Sequence, residues 1–336
     1  MPPSRISRRA LLRGLSSTAS LVALAGCADV TATGARFDAS ELSLDPVLLV
    51  ATTRKPAKGA RKPWFGSERG TALTLARAKL GPPAEGRFSL AAVGLEGWHI
   101  EAIEPVAQVA GLVGPAAGAR DVLIYVHGFN QSFEEAALDA VHLSDGIRFR
   151  GETLMFSWPS RGKLFDYAFD RESAMWSRDA LQQVLEALPA NPGVGRVHVV
   201  AHSIGTMVTM EALRQLYAVH GDAVADGIGA LVLAAPDVDM DVFASSVERI
   251  GALSPKIIVV TATNDRALAV SRWLAGGITR VGAAEKPRLT KLGLRVVDAS
   301  NEGWGVVNHD LFLSNSHVRQ VIRRAIDDYA GLAGAG

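Results

Sequence analysis

The chain has 336 residues, is 48% hydrophobic, and sets 35 lysines and arginines against 34 aspartates and glutamates for a formal net charge of +1. That is enough apolar material for one large core, and the balance excludes a disordered polyelectrolyte and a chain that holds a nucleic-acid backbone by a general basic excess. There is also no zinc-finger spacing or aromatic RNA-binding box, no spacing that specifies a metal, and nothing that calls for a cofactor.

The first 26 residues read as an export signal rather than as part of a fold. Ser7-Arg8-Arg9-Ala10-Leu11-Leu12-Arg13 resembles the twin-arginine export motif, and the mildly apolar segment 15–26 is too short for a permanent membrane helix. Leu24-Ala25-Gly26-Cys27 resembles the lipobox of bacterial lipoproteins, in which the cysteine thiol takes the lipid. Cys27 is the only cysteine, so an internal disulfide is impossible, and a modified anchor explains it best. The expectation is a chain exported by the twin-arginine route, held on a membrane of the cell envelope through lipidated Cys27, with 27–45 as tether, one domain over 46–330 and a flexible tail at 331–336. The oligomeric state is left open.

Past the tether, apolar runs of strand length recur: PVLLVATTR, DVLIYVHG, ETLMFSW, RVHVVAHS, IGALVLAAPD, KIIVVTATND and GLRVVDAS. Continuous apolar runs bounded by turn residues suit a parallel sheet covered on both faces. Helical apolar spacing lies between them, at 132–143 with Glu134 and Glu135 in a favourable first turn, and at 168–188, 206–219, 238–250 and 316–332. The alternation predicts an α/β fold with a doubly wound, mostly parallel sheet. The stretch 54–113 is harder to read; 72–79 suits an antiparallel edge strand, and the basic run from Arg54 to Lys62 reads as a solvated loop with no role.

Within this alternation, Ala201-His202-Ser203-Ile204-Gly205 sits between a strand-like and a helix-like run. In a nucleophile elbow the chain turns sharply from strand to helix, which exposes the serine oxygen and requires small residues two before and two after it. Ala201 departs from the usual glycine yet nearly meets the steric need. A serine hydroxyl needs a base, and the base needs a carboxylate to fix its tautomer. Asp265 ends KIIVVTATND, and His309 follows GLRVVDAS in NEGWGVVNHDLF, which gives the order Ser, Asp, His. His317, the other histidine downstream of Asp265, falls inside the last helix. The cluster Asp237, Asp239, Asp241 offers Asp239 as an alternative acid, although capping of the following helix is the plainer role. His127-Gly128-Phe129 follows an upstream strand, where glycine lets backbone approach a substrate. The N–H groups of Phe129 and Ile204 are the candidate oxyanion donors, with His127 ordering their loop.

From about residue 46 to 329 the chain is similar to an uncharacterised family of bacterial α/β-hydrolases whose members carry YVHGFN, FSWPS, AHSxG, LAAPD and NDRAL in this order. The resemblance implies a serine hydrolase of esterase or lipase type without a large cap domain, but brings no firm substrate. Ser203 argues against the epoxide hydrolases and haloalkane dehalogenases of this fold, which use an aspartate. Thioesterase, amidase and acyltransferase chemistry would use the same residues, and a non-hydrolytic lipoprotein that binds an envelope partner is the reading from another class. Only 237–255 separates two successive strands, room for about one helix, so a large lid is not expected there. Trp158, Phe165, Tyr167, Phe169 and Trp176 offer an aromatic wall, and any one of these rings could equally pack a helix on the sheet. The expected substrate is a soluble acyl ester of short to medium chain.

Overall fold

A computed structural model describes residues 47–57, 64–81, 98–114, 118–161, 166–262, 268, 279–284, 286–300 and 311–330, all within one compact unit, 35–336. The signal, the tether, Cys27, Phe165, Asp265, His309 and the tail at 331–336 lie outside the described residues.

The described strands are β1 (Val47–Pro56), β2 (Phe65–Gly81), β3 (His99–Val106), β4 (Arg120–Val126), β5 (Glu152–Ser157), β6 (Val194–His202), β7 (Ile228–Ala234), β8 (Ile257–Thr261) and β9 (Arg295–Asp298). They form one sheet in the order β3-β2-β1-β5-β4-β6-β7-β8-β9. From β1 across to β9 every neighbouring pair is parallel, and only β2 runs against the rest. All seven apolar runs became strands of the parallel part. All but the edge strand β9, where Arg295 and Asp298 are exposed, are mostly buried on both faces, and the helices around the sheet are α1 (Phe133–Gly146), α2 (Tyr167–Trp176), α3 (Arg178–Ala187), α4 (Ile204–His220), α5 (Val224–Gly227), α6 (Met240–Glu248), α7 (Lys286–Thr290), α8 (Leu311–Ser314) and α9 (Ser316–Ala330). Two apolar clusters sit on opposite faces: Val122, Ile124 and Val199 point to one, Leu123, Tyr125 and Val200 to the other. A fully enclosed aliphatic side chain contributes about 1.5–3 kcal/mol, so these strands hold the molecule together.

Three local readings need correction. The strand expected at the edge over 72–79 is antiparallel but interior, because β3 covers it; β3 alternates buried Ile100 with exposed Glu101 and Glu104, a pattern too polar to stand out as a strand. The helix expected over 168–188 breaks into α2 and α3 at Ser177, whose hydroxyl bonds back to Ser173 O at 2.8 Å and lies 2.8 Å from Thr53 Oγ1. Arg54 belongs to no solvated loop: it is the last inward residue of β1 and 1% exposed, whereas Lys55 turns outward to pair with Glu68.

The topology itself creates a crevice. The chain leaves β4 through α1 to β5 on one side, then crosses back through α2 and α3 to β6 on the other. Strand order thus reverses between β4 and β6, and the carboxyl ends of such strands are where open α/β sheets place ligands. The two ends meet closely. A side chain at Gly205 would bring a Cβ to 2.5 Å from His127 O and 2.6 Å from Val126 O, so only glycine lets α4 start against the end of β4. Gly205→Ala is therefore expected to destabilise the protein by about 1–3 kcal/mol in urea unfolding, the usual cost of overpacking; unchanged stability would show that α4 can shift without loss.

Candidate active site

Ser203 directly follows β6 and serves as the residue before the first turn of α4, with φ 51° and ψ −120°. A non-glycine residue there is strained, and the structure holds it from several sides. Its N–H donates to Ala234 O at 2.9 Å, and its carbonyl accepts from Thr206 N at 3.1 Å and Asp237 N at 3.2 Å. As a whole residue Ser203 is 2% exposed, less open than the elbow motif suggests, because the loop after β4 closes over it. A Cβ on Gly128 would stand 3.0 Å from Ser203 Cβ and 2.8 Å from His202 Nδ1, so glycine is needed for that closure as well. Ala201, the departure from the usual glycine, is fully buried in register between Val126 and Leu233 and is accommodated there.

The loop over Ser203 carries the other candidates. Ile204 opens α4, so its N–H is among the first-turn amides that have no acceptor within the helix. Phe129 follows Gly128 directly, and Asn130 beyond it adopts φ 61°, a conformation asparagine tolerates. Ser132 then caps α1 through a reciprocal capping box with Glu135.

His127 is fully enclosed, with its ring stacked at 4.7 Å on Trp158. Nδ1 lies 2.8 Å from Gly128 O, an atom that only accepts, so Nδ1 carries the proton. Nε2 is therefore the acceptor, and takes the Trp158 N–H at 3.1 Å; its 3.1 Å contact with Trp158 O is not a bond in this tautomer. Burial first, and the Arg54 charge second, hold the imidazole down at about 3, so it is neutral and structural at ordinary pH. Behind it, the Arg54 guanidinium is lowered by burial to about 10 and remains a cation, supported by the charges of Asp170, Glu134 and Glu135.

The aromatic residues divide. Trp158 is 0% exposed and donates its indole N–H to His127 O at 2.9 Å, so it backs the loop from within the core and is not an open pocket wall. Trp176 is 40% exposed at the far end of α2, with the Arg69 guanidinium 5.9 Å above it, next to a similar contact on Phe169. Tyr167 is the described wall candidate that meets the loop over Ser203: it contacts Phe129 edge-on at 5.5 Å and donates to Asp237 Oδ2 at 2.8 Å.

Asp237 is held by Arg280 Nε at 3.0 Å, both side chains 3% exposed. Losing one partner of such a buried pair typically costs about 3–5 kcal/mol. Asp239 caps α6, accepting from Asp241 N at 3.0 Å and Val242 N at 2.9 Å, the plainer of its two expected roles. Arg54 was the residue that sequence reasoning passed over; its place at the end of an apolar run, rather than in the basic run after it, was the available signal.

The buried neutral histidine has a pH signature. An unfolded chain titrates this imidazole near 6.5, the folded one near 3, so between these values the unfolded state binds a proton that the native state does not. Stability should fall as pH drops through that window, by about 1.4 kcal/mol per pH unit and proton. His142, lowered to about 4 by burial and Arg319, adds in the same direction. Urea unfolding at pH 4–6 is expected to show a shallower pH slope for His127→Gln than for wild type, by about one proton; equal slopes would mean that His127 is already charged in the fold.

Comparison with known proteins agrees with this geometry in fold. A stretch of 61 residues is 36% identical to an uncharacterised protein of Nostoc sp., but the match spans 18% of this chain and 16% of that relative. Among solved structures, Est1E from Butyrivibrio proteoclasticus is 12% identical with a TM-score of 0.42, covering 77% of this chain and 96% of its own. A predicted CIB-like hydrolase from Thermoplasma acidophilum is 14% identical with a TM-score of 0.36, covering 75% and 92%. Residues 115–325 match the family described as "Alpha/beta hydrolase of unknown function (DUF900)", and the chain belongs to that family.

Proposed function

We propose that the protein is a serine hydrolase of acyl esters. Ser203 Oγ attacks the acyl carbonyl, His309 takes its proton and passes it to the leaving alcohol, Asp265 orients His309, and water then releases the acyl group. The N–H groups of Phe129 and Ile204 receive the developing oxyanion. The observation that carries this reading is the strained φ of 51° at Ser203, held at the strand-to-helix turn beneath a glycine loop. A serine that only filled a turn would gain nothing from such strain.

The described flanks of Asp265 and His309 support it. Ala262, three residues before Asp265, donates to Gly282 O at 2.9 Å, and Gly282 N donates to Pro236 O at 2.9 Å, beside the elbow. Phe312, three residues after His309, lies with its ring 4.7 Å from that of His202. Asp265 is preferred to Asp239, whose carboxylate is engaged on helix amides, and to Asp237, which is engaged with Arg280. Short to medium soluble esters are the proposed substrates, since α6 and a short 3-10 turn fill the interval between β7 and β8 where a lid would be inserted.

A fluorophosphonate probe is expected to label the wild-type protein and not Ser203→Ala, and Asp265→Asn should lose far more kcat on a soluble ester than Asp239→Asn. A folded protein that is not labelled, or is labelled equally without Ser203, would instead favour a binding lipoprotein with a hydrolase fold. Transfer to thioester or amide substrates would keep the same label.

Residues 1–27 support a further part of the proposal, export by the twin-arginine route and membrane attachment through lipidated Cys27. Feeding a labelled fatty acid to the bacterial host should mark the wild-type chain and leave Cys27→Ser unmarked; an unmarked wild type would refute lipidation.

A further inference from the structure

The buried guanidinium of Arg54 is the least expected feature of the crevice. It has five N–H donors, and five acceptors surround it. Nε meets Ser157 Oγ at 2.8 Å; Nη1 meets Gly66 O at 3.3 Å and Ser160 O at 3.4 Å; Nη2 meets Gln131 O at 2.7 Å and His127 Nε2 at 3.4 Å. None of these is a carboxylate. Among the described residues no acidic side chain lies within ion-pair distance of Arg54, and Asp170 is turned to the Ser160 hydroxyl and the Arg161 amide. Asp170, Glu134 and Glu135 act on it only at longer range, and burial still outweighs their charges. A cation whose direct contacts are all dipoles is costly to bury, so its place calls for a reason other than stability.

Its contacts lead to one peptide plane. Arg54 Nη2 and Trp158 N both donate toward His127 Nε2, which leaves the ring proton on Nδ1. That proton goes to Gly128 O at 2.8 Å. In a trans peptide the C=O of one residue and the N–H of the next point in opposite directions, so fixing Gly128 O also fixes the direction of Phe129 N–H. The same guanidinium group holds Gln131 O, the far end of the loop, and through Ser157 and Ser160 ties the loop to β5 and the turn after it. Thr52 adds to this frame, its hydroxyl donating to Ser157 O at 2.8 Å.

We infer that Arg54 is a positioning residue for the oxyanion site: through His127 and Gln131 it aims the Phe129 N–H, and it places a positive charge behind the loop that faces the developing oxyanion. This rests on the reading of Ser203 as nucleophile and goes beyond it, since nothing in a serine triad requires a buried arginine on β1.

The test is steady-state kinetics and inhibition of Arg54→Met and Arg54→Lys in the full-length protein, with far-UV circular dichroism and thermal melts to establish folding. Misaligning one oxyanion donor should lower kcat about 10- to 100-fold, with KM within about threefold of wild type. Arg54→Lys, which keeps charge but not the fork, should fall between Arg54→Met and wild type. The rate of phosphonylation of Ser203, whose transition state also places charge on an oxygen, should fall in proportion to kcat/KM, while inhibition by the product alcohol stays unchanged. If Arg54→Met does not fold, Ser157→Ala removes one acceptor with little change of volume and should still lower kcat about threefold to tenfold. Folded variants with wild-type kcat, or a loss confined to KM, would overturn the inference. Wild-type protein that is not phosphonylated would refute the nucleophile itself, which keeps the two failures apart.

Discussion

The site depends on how closely the carboxyl ends of β4 and β6 approach. Two positions have no room for a side chain: Gly205, which faces His127 O and Val126 O, and Gly128, which faces Ser203 Cβ. With both glycines in place, α4 begins directly against β4, and the loop after β4 closes over Ser203. The left-handed φ of Ser203 follows, because the chain must leave β6 and enter α4 within one residue. The strain is offset by the bonds from Ala234, Thr206 and Asp237 to the Ser203 backbone, and by the wide parallel sheet on which both strands are interior. Local strain at a functional position is sustained by a rigid surrounding, and the surrounding here is the two-faced apolar core.

Around that contact the charged and polar groups run in a chain. Arg54 is charged, with no carboxylate in direct contact among the described residues; its neighbour His127 is kept neutral by burial and by that charge; and His127 in turn bonds to Gly128 O in the loop that packs on Ser203. On the other side, Asp237 is neutralised by Arg280 and accepts from Tyr167, which links α2, the turn after β7 and the segment at 279–282 around the same serine. The first network uses side chains to hold backbone, and the proposed oxyanion donors are backbone groups.

Much of this was legible in the chain. Strands buried on both faces have no polar alternation, so their apolar runs stand out, and the seven runs mark the parallel sheet correctly. The elbow was readable because its requirements are steric and local: a strand, a small residue, a serine, a glycine, a helix. β3 was not, since an edge strand with one wet face carries Glu101 and Glu104 and looks like loop. Nor was Arg54, because charge in a sequence is read as surface, and only the three-dimensional meeting of β1, β5 and the His127 loop turns it inward. Trp158 failed for the reverse reason: an aromatic residue near a site suggests a pocket wall, yet its indole N–H was needed inside, on His127 O. Asp265 and His309 are read from chain order, as the acid and the base that follow the serine.

The most direct test of the central claim is a crystal structure of the protein after reaction with a small phosphonate ester. Phosphorus is expected to be bonded to Ser203 Oγ, with the phosphonyl oxygen about 2.7–3.1 Å from both Phe129 N and Ile204 N. An adduct at another residue, or a phosphonyl oxygen turned away from these two amides, would contradict it.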